Sequence, residues 1–427
     1  MPKGRSLTHR QCPGDIRIWH SPNRHRECHD LGRAYIAISS KGIWQSGQRR
    51  RRARHIGGAI MLKVGIVSAN WGVVAHLPAW RSIHGVEVVA ICTSRRETAE
   101  AAAERHGIAR AYWNVGDMIA EPDIDIIDCG ARPSIRQTMV VDALHAGKHV
   151  YNGIPFAADI GHARAIHAAW CASGRIGVTD AFSQWVPALT EAKAMIEQGY
   201  LGAPLGGHAL FNLSLFNRPH PNFPYNWFAD GSAGVSAMRN LGSHMLNVLV
   251  NFFGDAVEVV ADDRQLLAEW RYPDGSVTRP ETNDYANLIL RFANGMTLPV
   301  QLSWSASVGL GFRLDMFGTD GRILVTDPSF PTTLNARIEA GKVGGRTLEP
   351  VEIHADRLRP HGINVDPAVQ PQAVHGMAIG MQRMVRAIRG DGQAAPDFAQ
   401  AWHVEQILEA ARRSSLERRP VAIAEIA

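Results

Sequence analysis

The sequence predicts an α/β chain: a doubly wound parallel sheet, then an α+β domain with an open, mainly antiparallel sheet. Three observations predict it. From Met61 onward short apolar runs alternate with helical segments, as parallel strands joined by helical crossovers require. The first such run ends in a tight turn of small and polar residues, Ser68-Ala69-Asn70, directly before a helical stretch. Beyond residue 207 the runs become strand-length and alternating, with Ala293-Asn294-Gly295 as a hairpin signal.

The chain of 427 residues, 45% hydrophobic, is long enough for two or three domains. Its net charge of +5 is unevenly spread, because residues 1–60 hold 13 of the 45 Lys+Arg and only 3 of the 40 Asp+Glu. The remainder is mildly acidic, so the composition gives no general case for a nucleic-acid partner. No apolar run reaches the ~18–20 residues of a membrane span. Residues 1–60 lack a sustained period and end in the run Gln48-Arg49-Arg50-Arg51-Arg52-Ala53-Arg54, and they read as a basic, disordered extension. A twin-arginine signal would need the apolar stretch at 60–67, but that stretch contains Lys63 and is needed as the first strand. Met61 reads as a natural beginning. Cys12, Cys28 and His29 show no metal-ligand spacing, and no metal site is expected. The five cysteines form no CxxC pair, which fits a reduced, cytoplasmic setting.

In order, residues 64–67 read as a buried strand and 72–83 as a helix. Residues 86–92 give a second strand, and 97–106 an alanine-rich helix. Residues 124–129 give a third strand, 135–146 a helix closed by Gly147, and 149–151 a further strand. The first turn is where a pyrophosphate should sit, met by N–H groups opening the helix. Here GxGxxG is degraded to Ser68-x-Asn70-x-x-Val73, with Ala69 and Trp71 between and after. Ser is small, and Asn tolerates a left-handed backbone. The second strand ends in Thr93-Ser94-Arg95-Arg96 with no acid before Glu97. A ribose 2′-hydroxyl is usually met there by a carboxylate, whereas hydroxyls and guanidiniums suit a 2′-phosphate. NADP is therefore preferred over NAD as the expected cofactor. Arg132 and Pro155, at the ends of later strands, join the cofactor set.

Several segments together resemble the Gfo/Idh/MocA oxidoreductases, the glucose–fructose oxidoreductase and inositol dehydrogenase family. They are residues 64–78 ending His76-Leu77-Pro78, Ala143-Leu144-His145-Ala146-Gly147-Lys148-His149-Val150-Tyr151, residues 196–202, residues 240–247, Phe317-Gly318-Thr319-Asp320-Gly321 and the ending 384–420. The likeness covers roughly residues 62–424. It implies a Rossmann domain over 61–180 and a substrate and oligomerisation domain over 181–427, with C-terminal helices packing back. It further implies a cleft between the two, and a dimer or tetramer formed through the second sheet.

The family's proton-handling set is altered. A Lys in Glu-Lys-Pro is expected after the Gly-Lys-His-Val strand, but the chain reads Asn152-Gly153-Ile154-Pro155, and Ile154 carries no proton. Asp-x-x-x-His-x-x-Asp becomes Asn240, His244 and Asn247, which share one helical face. Gln184 stands where Arg is common. Histidine alone keeps a useful pKa, so His244 is the expected acid/base, with Tyr151 in reserve. Asn152, Asn240, Asn247, Arg239 and Trp227 are expected to contact substrate, with Trp185, Tyr225 and the loop at 217–227 nearby. The expected activity is NAD(P)-dependent oxidation or reduction of a hydroxyl or carbonyl on a sugar, polyol or other cyclic small molecule. Two alternatives remain: a non-catalytic cofactor-binding sensor or co-regulator, and a lyase or glycosidase working by transient oxidation.

Overall fold

The computed structural model describes residues 61–219 and 225–426, preceded by a short antiparallel pair, His55–Ile56 with Ala59–Ile60. The expectation for 1–60 as an extension otherwise lies outside the described residues, as does the Pro-rich tip at 220–224.

The first sheet has six strands: β1 (Leu62–Val67), β2 (Val86–Cys92), β3 (Arg110–Tyr112), β4 (Ile126–Cys129), β5 (His149–Asn152) and β6 (Gly177–Thr179). Their order is β3-β2-β1-β4-β5-β6 and every pairing is parallel. Central strands are buried on both faces, which is why they read as continuous apolar runs. The helix expected over 72–83 is a π turn, Gly72–His76, running into α1 (Leu77–Arg81) with Pro78 in its first turn. It stops at Arg81, and Ile83 instead bridges to Ile363. The other crossovers are α2 (Arg96–His106), α3 (Val115–Ala120), α4 (Pro133–His145) and α5 (Ile160–Ser173). Because all strands run one way, the turns after β1, β2, β4, β5 and β6 line one edge of the sheet.

Beyond α6 (Pro187–Glu197) comes the second sheet. Its strands are β7 (Pro204–Asn212), β8 (Ala256–Arg264), β9 (Tyr285–Phe292), β10 (Thr297–Ser303), β11 (Gly311–Gly318), β12 (Gly321–Asp327), β13 (Arg337–Lys342), β14 (Glu349–Pro350) and β15 (Val421–Ala422). The order is β14-β13-β12-β11-β7-β10-β9-β8-β15, antiparallel except where β7 meets β10. The Asn-Gly turn joins β9 to β10, with Gly295 at φ 89°. One face packs on α7 (Ala237–Phe253), whose N-terminus is capped by Ser236 Oγ accepting from the Arg239 N–H.

Two C-terminal helices return to the first domain. From α8 (Val374–Ile388), Met377 and Met381 share a core with Trp80, Tyr151 and Val178. In α9 (Phe398–Glu417), Phe398 belongs to the core around α5, while Ile407 and Leu408 belong to that of the second sheet. Among the described residues no helix is long and apolar enough to cross a membrane, and no cluster of His, Cys, Asp or Glu is arranged to hold a metal.

Candidate active site

The turn after β1 is built to let something approach the backbone. Ser68, at the first glycine position, has φ 106°, a conformation that favours glycine. The strain therefore falls on Ser68, not on Asn70 as the sequence suggested. Ser68 Oγ accepts from the Asn70 N–H at 3.3 Å, and the Asn70 carbonyl accepts from Val73 and Val74. A Cβ on Gly72 would stand 2.9 Å from Ile66, and one on Gly130 at the end of β4 would stand 3.0 Å from the Val67 carbonyl. Ala69 and Asn70 are exposed and Trp71 half-buried. No bond from the Ala69 or Trp71 N–H is seen among the described residues. Exposed N–H groups beside a positive-φ turn, with glycine at both close approaches, fit a dinucleotide pyrophosphate.

At the end of β2, the Thr93 and Thr98 hydroxyls pair at 2.6 Å, so Thr93 shapes the turn. Arg96 bonds Glu100 and lies over the Trp113 ring. Ser94 and Arg95 are exposed, and Arg95 is the N-cap of α2 with no side-chain cap bond. The structure thus separates the two arginines the sequence treated alike. After β4, Arg132 lies 4.9 Å from the centre of the Trp227 ring, joining an expected cofactor residue to an expected substrate residue across the two domains.

The face of α7 divides likewise. His244 is buried, its Nδ1 is 3.0 Å from Ser183 Oγ, and Phe182 and Phe330 set their rings edge-on against it. Ser183 and Phe182 belong to a 3-10 turn, Phe182–Trp185, that follows β6 directly. Burial pushes the imidazole down to about 4, against the pull of Asp180. Nε2 makes no hydrogen bond among the described residues. One turn earlier, Asn240 is half-buried, and its amide makes no hydrogen bond among the described residues. Asn247 differs: its Nδ2 donates to the Ser243 carbonyl and its Oδ1 accepts from Gln400. Both amide atoms are engaged inside the protein, where they tie α7 to α9. Gln184 joins the same amide group, 3.1 Å from Gln400. Arg239 pairs with buried Glu405 at 2.7 Å and donates to the Ala157 carbonyl. It thereby anchors the segment after β5.

That segment carries Asn152, buried, with Nδ2 donating to the Phe156 carbonyl and Oδ1 unpartnered. Ile154 is half-buried and precedes a cis bond to buried Pro155. The guanidinium of Arg136, buried on α4, reaches the Pro155 and Ala131 carbonyls and fills the space over Gly153. Burial pushes Arg136 down to about 10. The turn thus retains a cation beneath it, though none at position 154.

A group of charges unanticipated from the sequence lies beside it. Tyr151 is buried and donates its hydroxyl to Asp180 at 2.6 Å. Burial and the Asp180 charge push the phenol well above its usual range. His76 Nδ1 is 2.9 Å from Asp128, which also accepts from Trp80 Nε1 at 2.7 Å. His76 Nε2 stands 3.2 Å from Asp180, close enough for an ion pair but off the line of a hydrogen bond. Burial alone would lower the His76 imidazole, but Asp128 and then Asp180 raise it to about 10, so it carries a proton. A carboxylate inside the apolar β4 run was the available signal, because a buried charge demands a partner.

Residues 62–179 match the oxidoreductase family with an NAD-binding Rossmann fold, and residues 189–324 match the GFO/IDH/MocA C-terminal domain. D-apiose dehydrogenase of Paraburkholderia graminis is 28% identical over 231 residues, 54% of this chain and 57% of that protein. Levoglucosan dehydrogenase of Pseudarthrobacter phenanthrenivorans is 24% identical over 354 residues, 76% of this chain and 87% of its own. Solved structures show the same fold. A levoglucosan dehydrogenase in complex with NADH gives a TM-score of 0.76 at 21% identity, over 85% of this chain and 99% of that one. An NAD binding oxidoreductase from Klebsiella pneumoniae gives 0.75 at 22%, over the same shares. With both halves matched in order, the chain belongs to the Gfo/Idh/MocA family and is an oxidoreductase built on an NAD-binding domain.

Proposed function

We propose that this enzyme is an NADP-preferring dehydrogenase of a secondary hydroxyl on a cyclic sugar or polyol. His244 is the group that takes up or returns the hydroxyl proton. The observation that carries this reading is the imidazole itself: Nδ1 is held by Ser183, and that is the ring's one hydrogen bond among the described residues. The tautomer that donates Nδ1–H to Ser183 leaves on Nε2 the lone pair a base needs. A nicotinamide dinucleotide, when bound, supplies the hydride acceptor. The turn at Ser68–Trp71 would hold its pyrophosphate, and Pro155 and Arg132 would flank its further course. Asn240, one turn from His244 and without a hydrogen bond among the described residues, is suited to fix a substrate hydroxyl, and the unpartnered Asn152 Oδ1 is a further acceptor. Trp227 and Arg132 together form one wall. Relatives named for levoglucosan, apiose and inositol oxidation favour a cyclic polyhydroxyl substrate. Exposed Arg95, with no carboxylate ahead of Glu97, favours the 2′-phosphate.

The enzyme is proposed to act as a dimer or tetramer. Ile289 and Pro299, cross-strand partners on β9 and β10, are exposed, as is Phe317 on β11 across β7, apolar positions suited to a second copy. Light scattering measures this directly.

The test is a panel of anhydrosugars, sugars and inositols with NADP⁺ and NAD⁺, followed by absorbance of reduced cofactor. Turnover lost in His244→Ala, and an NADP⁺ preference lost in Arg95→Ala, support the reading. Tight cofactor binding with no turnover on any compound would instead favour the non-catalytic sensor, for which Ile154 in place of a lysine is no handicap.

A further inference from the structure

One of the two rings against His244 comes from a stretch of chain that nothing else in the site uses. Phe330 lies in the loop between β12 and β13, its ring centre 4.8 Å from that of the imidazole and the planes at 88°. It also stacks on Phe182 at 5.4 Å, just after β6 of the first sheet, and meets Phe211 of β7 edge-on at 4.9 Å. Phe330 therefore packs against the cores of both domains, at their junction, yet is itself only half-buried. Its open part does not face the groove of about 600 Å³ beyond the loop, which Thr333, Ala336 and Arg337 help to line and Phe330 does not. A half-open ring off that groove and in contact with His244 is left to the cleft between the domains.

The loop holds the ring in place. Asp327, buried at the end of β12, accepts from the Ser329 N–H at 2.9 Å and the Thr332 N–H at 3.0 Å. The Thr332 hydroxyl accepts from the Asn335 N–H, and Thr333 pairs with His375 of α8. Gly311 of β11, at φ 75°, leaves no room for a Cβ beside the Asp327 carbonyl, so the start of the loop lies flush on the sheet. Pro331 biases the Phe330 backbone to an extended geometry. An aromatic ring on a loop braced in this way serves as a fixed wall.

We propose that Phe330 is a specificity-determining residue: its ring takes the C–H face of a cyclic polyol or anhydrosugar and so brings one ring hydroxyl to His244 Nε2. The proposal deepens the dehydrogenase reading and rests on it for turnover, though not for binding. A sugar ring carries hydroxyls around its rim and C–H bonds above and below. Its recognition needs an apolar surface for the face and polar groups for the rim. Phe330, backed by Phe182, is the apolar surface beside the imidazole. Asn240, one turn from His244 on α7, is available to the rim. The face of an aromatic ring is the negative end of its quadrupole and attracts the weakly positive C–H groups. An open-chain polyol has no such face, because its C–H bonds point in all directions.

The experiment compares wild type, Phe330→Leu and Phe330→Tyr on anhydrosugars, pyranoses and inositols and on open-chain polyols. In Phe330→Leu, KM for the best cyclic substrate is expected to rise about three- to tenfold, the scale of one aromatic contact. Its kcat should stay within about threefold, with the NADP⁺ dissociation constant unchanged. Phe330→Tyr keeps the ring and should keep KM near the wild-type value. A KM that does not rise, or a kcat that falls alike on cyclic and open-chain compounds, marks a ring that only supports His244 and overturns the proposal. Saturation-transfer NMR on the full-length wild type with NADPH bound needs neither turnover nor a stable variant. Irradiating the protein's aromatic protons should mark the sugar's ring C–H protons, those on one face more than those on the other. Uniform marking, or no transfer to any cyclic compound, overturns the proposal. One-faced transfer without turnover on any compound would defeat the dehydrogenase reading and leave the proposal standing. Turnover with an unaltered KM in Phe330→Leu would do the reverse.

Discussion

Arg132, from the turn after β4, places its guanidinium 4.9 Å from the ring centre of Trp227, which belongs to a short turn of the second domain. Hydrogen bonds from the Ser232 hydroxyl and N–H hold the nearby Asp230 carboxylate below its ordinary range, and the Arg132 charge adds to this. A cation–π contact at an exposed site is worth about 0.5–1 kcal/mol. Trp227→Ala is therefore expected to weaken cofactor binding about two- to fivefold by calorimetry, with little change in melting temperature. An equal loss in Arg132→Ala, and no further loss in the double variant, would identify the pair as one unit.

Ser183 acts on the same site through His244. Ser183→Ala removes the Nδ1 partner and leaves the ring free to take the wrong tautomer. We expect kcat to drop about tenfold with cofactor affinity unchanged, since orientation rather than binding is lost. A fall in affinity with kcat intact would point to a purely architectural serine.

At the phosphate turn, the φ of 106° makes Ser68 a stringent test of backbone strain. Holding a non-glycine residue there costs about 1–3 kcal/mol. Ser68→Gly is expected to be neutral or slightly stabilising, as relief of strain offsets about 0.4–1 kcal/mol of unfolded-chain entropy. Ser68→Val, branched at Cβ, should be destabilised by about 1–3 kcal/mol in urea unfolding. If both variants unfold alike, the turn is not strained.

The His76 cluster sets a pH dependence of stability. Its imidazole is raised to about 10 by Asp128 and Asp180 despite burial. The unfolded chain has an ordinary histidine, near 6.5. A raised folded value means that the folded state holds the proton more tightly. The contribution is therefore complete below pH about 6.5 and declines as pH rises towards about 10. The melting temperature should fall across that window, and the slope should flatten in His76→Gln. That variant should also be destabilised by about 3–5 kcal/mol at pH 7, because it leaves buried carboxylates uncompensated. A melting curve equally steep in the variant would assign the slope to other groups.

Much of this was legible in the sequence where a local period or a turn residue governs. The strand at Val86–Cys92, the strand at Thr297–Ser303 and the Asn-Gly hairpin appear as read. The short β3 and β6 were not read, because three residues carry no measurable alternation. His244 was visible as the one titratable group on its helical face. Asn247 and Arg239 were assigned to a ligand because nothing in α7 reveals that Gln400 and Glu405, more than 150 residues later, take them first. Asp180 was missed for the same reason. Its meaning comes from Tyr151 and His76 converging on it from two separate elements, and that convergence is a property of the fold.

The last long helix carries a mechanical consequence. With Phe398 inserted in the core beside α5 and Ile407 and Leu408 in that of the second sheet, α9 works as a rivet through both halves. Neither half retains its full interior without the other. The molecule should therefore melt in a single calorimetric transition, and neither residues 61–180 nor 181–373 should yield an independently stable fragment. Because the rivet fixes the separation of the walls, catalytic adjustments are confined to side chains and loops rather than to wholesale swinging of one domain.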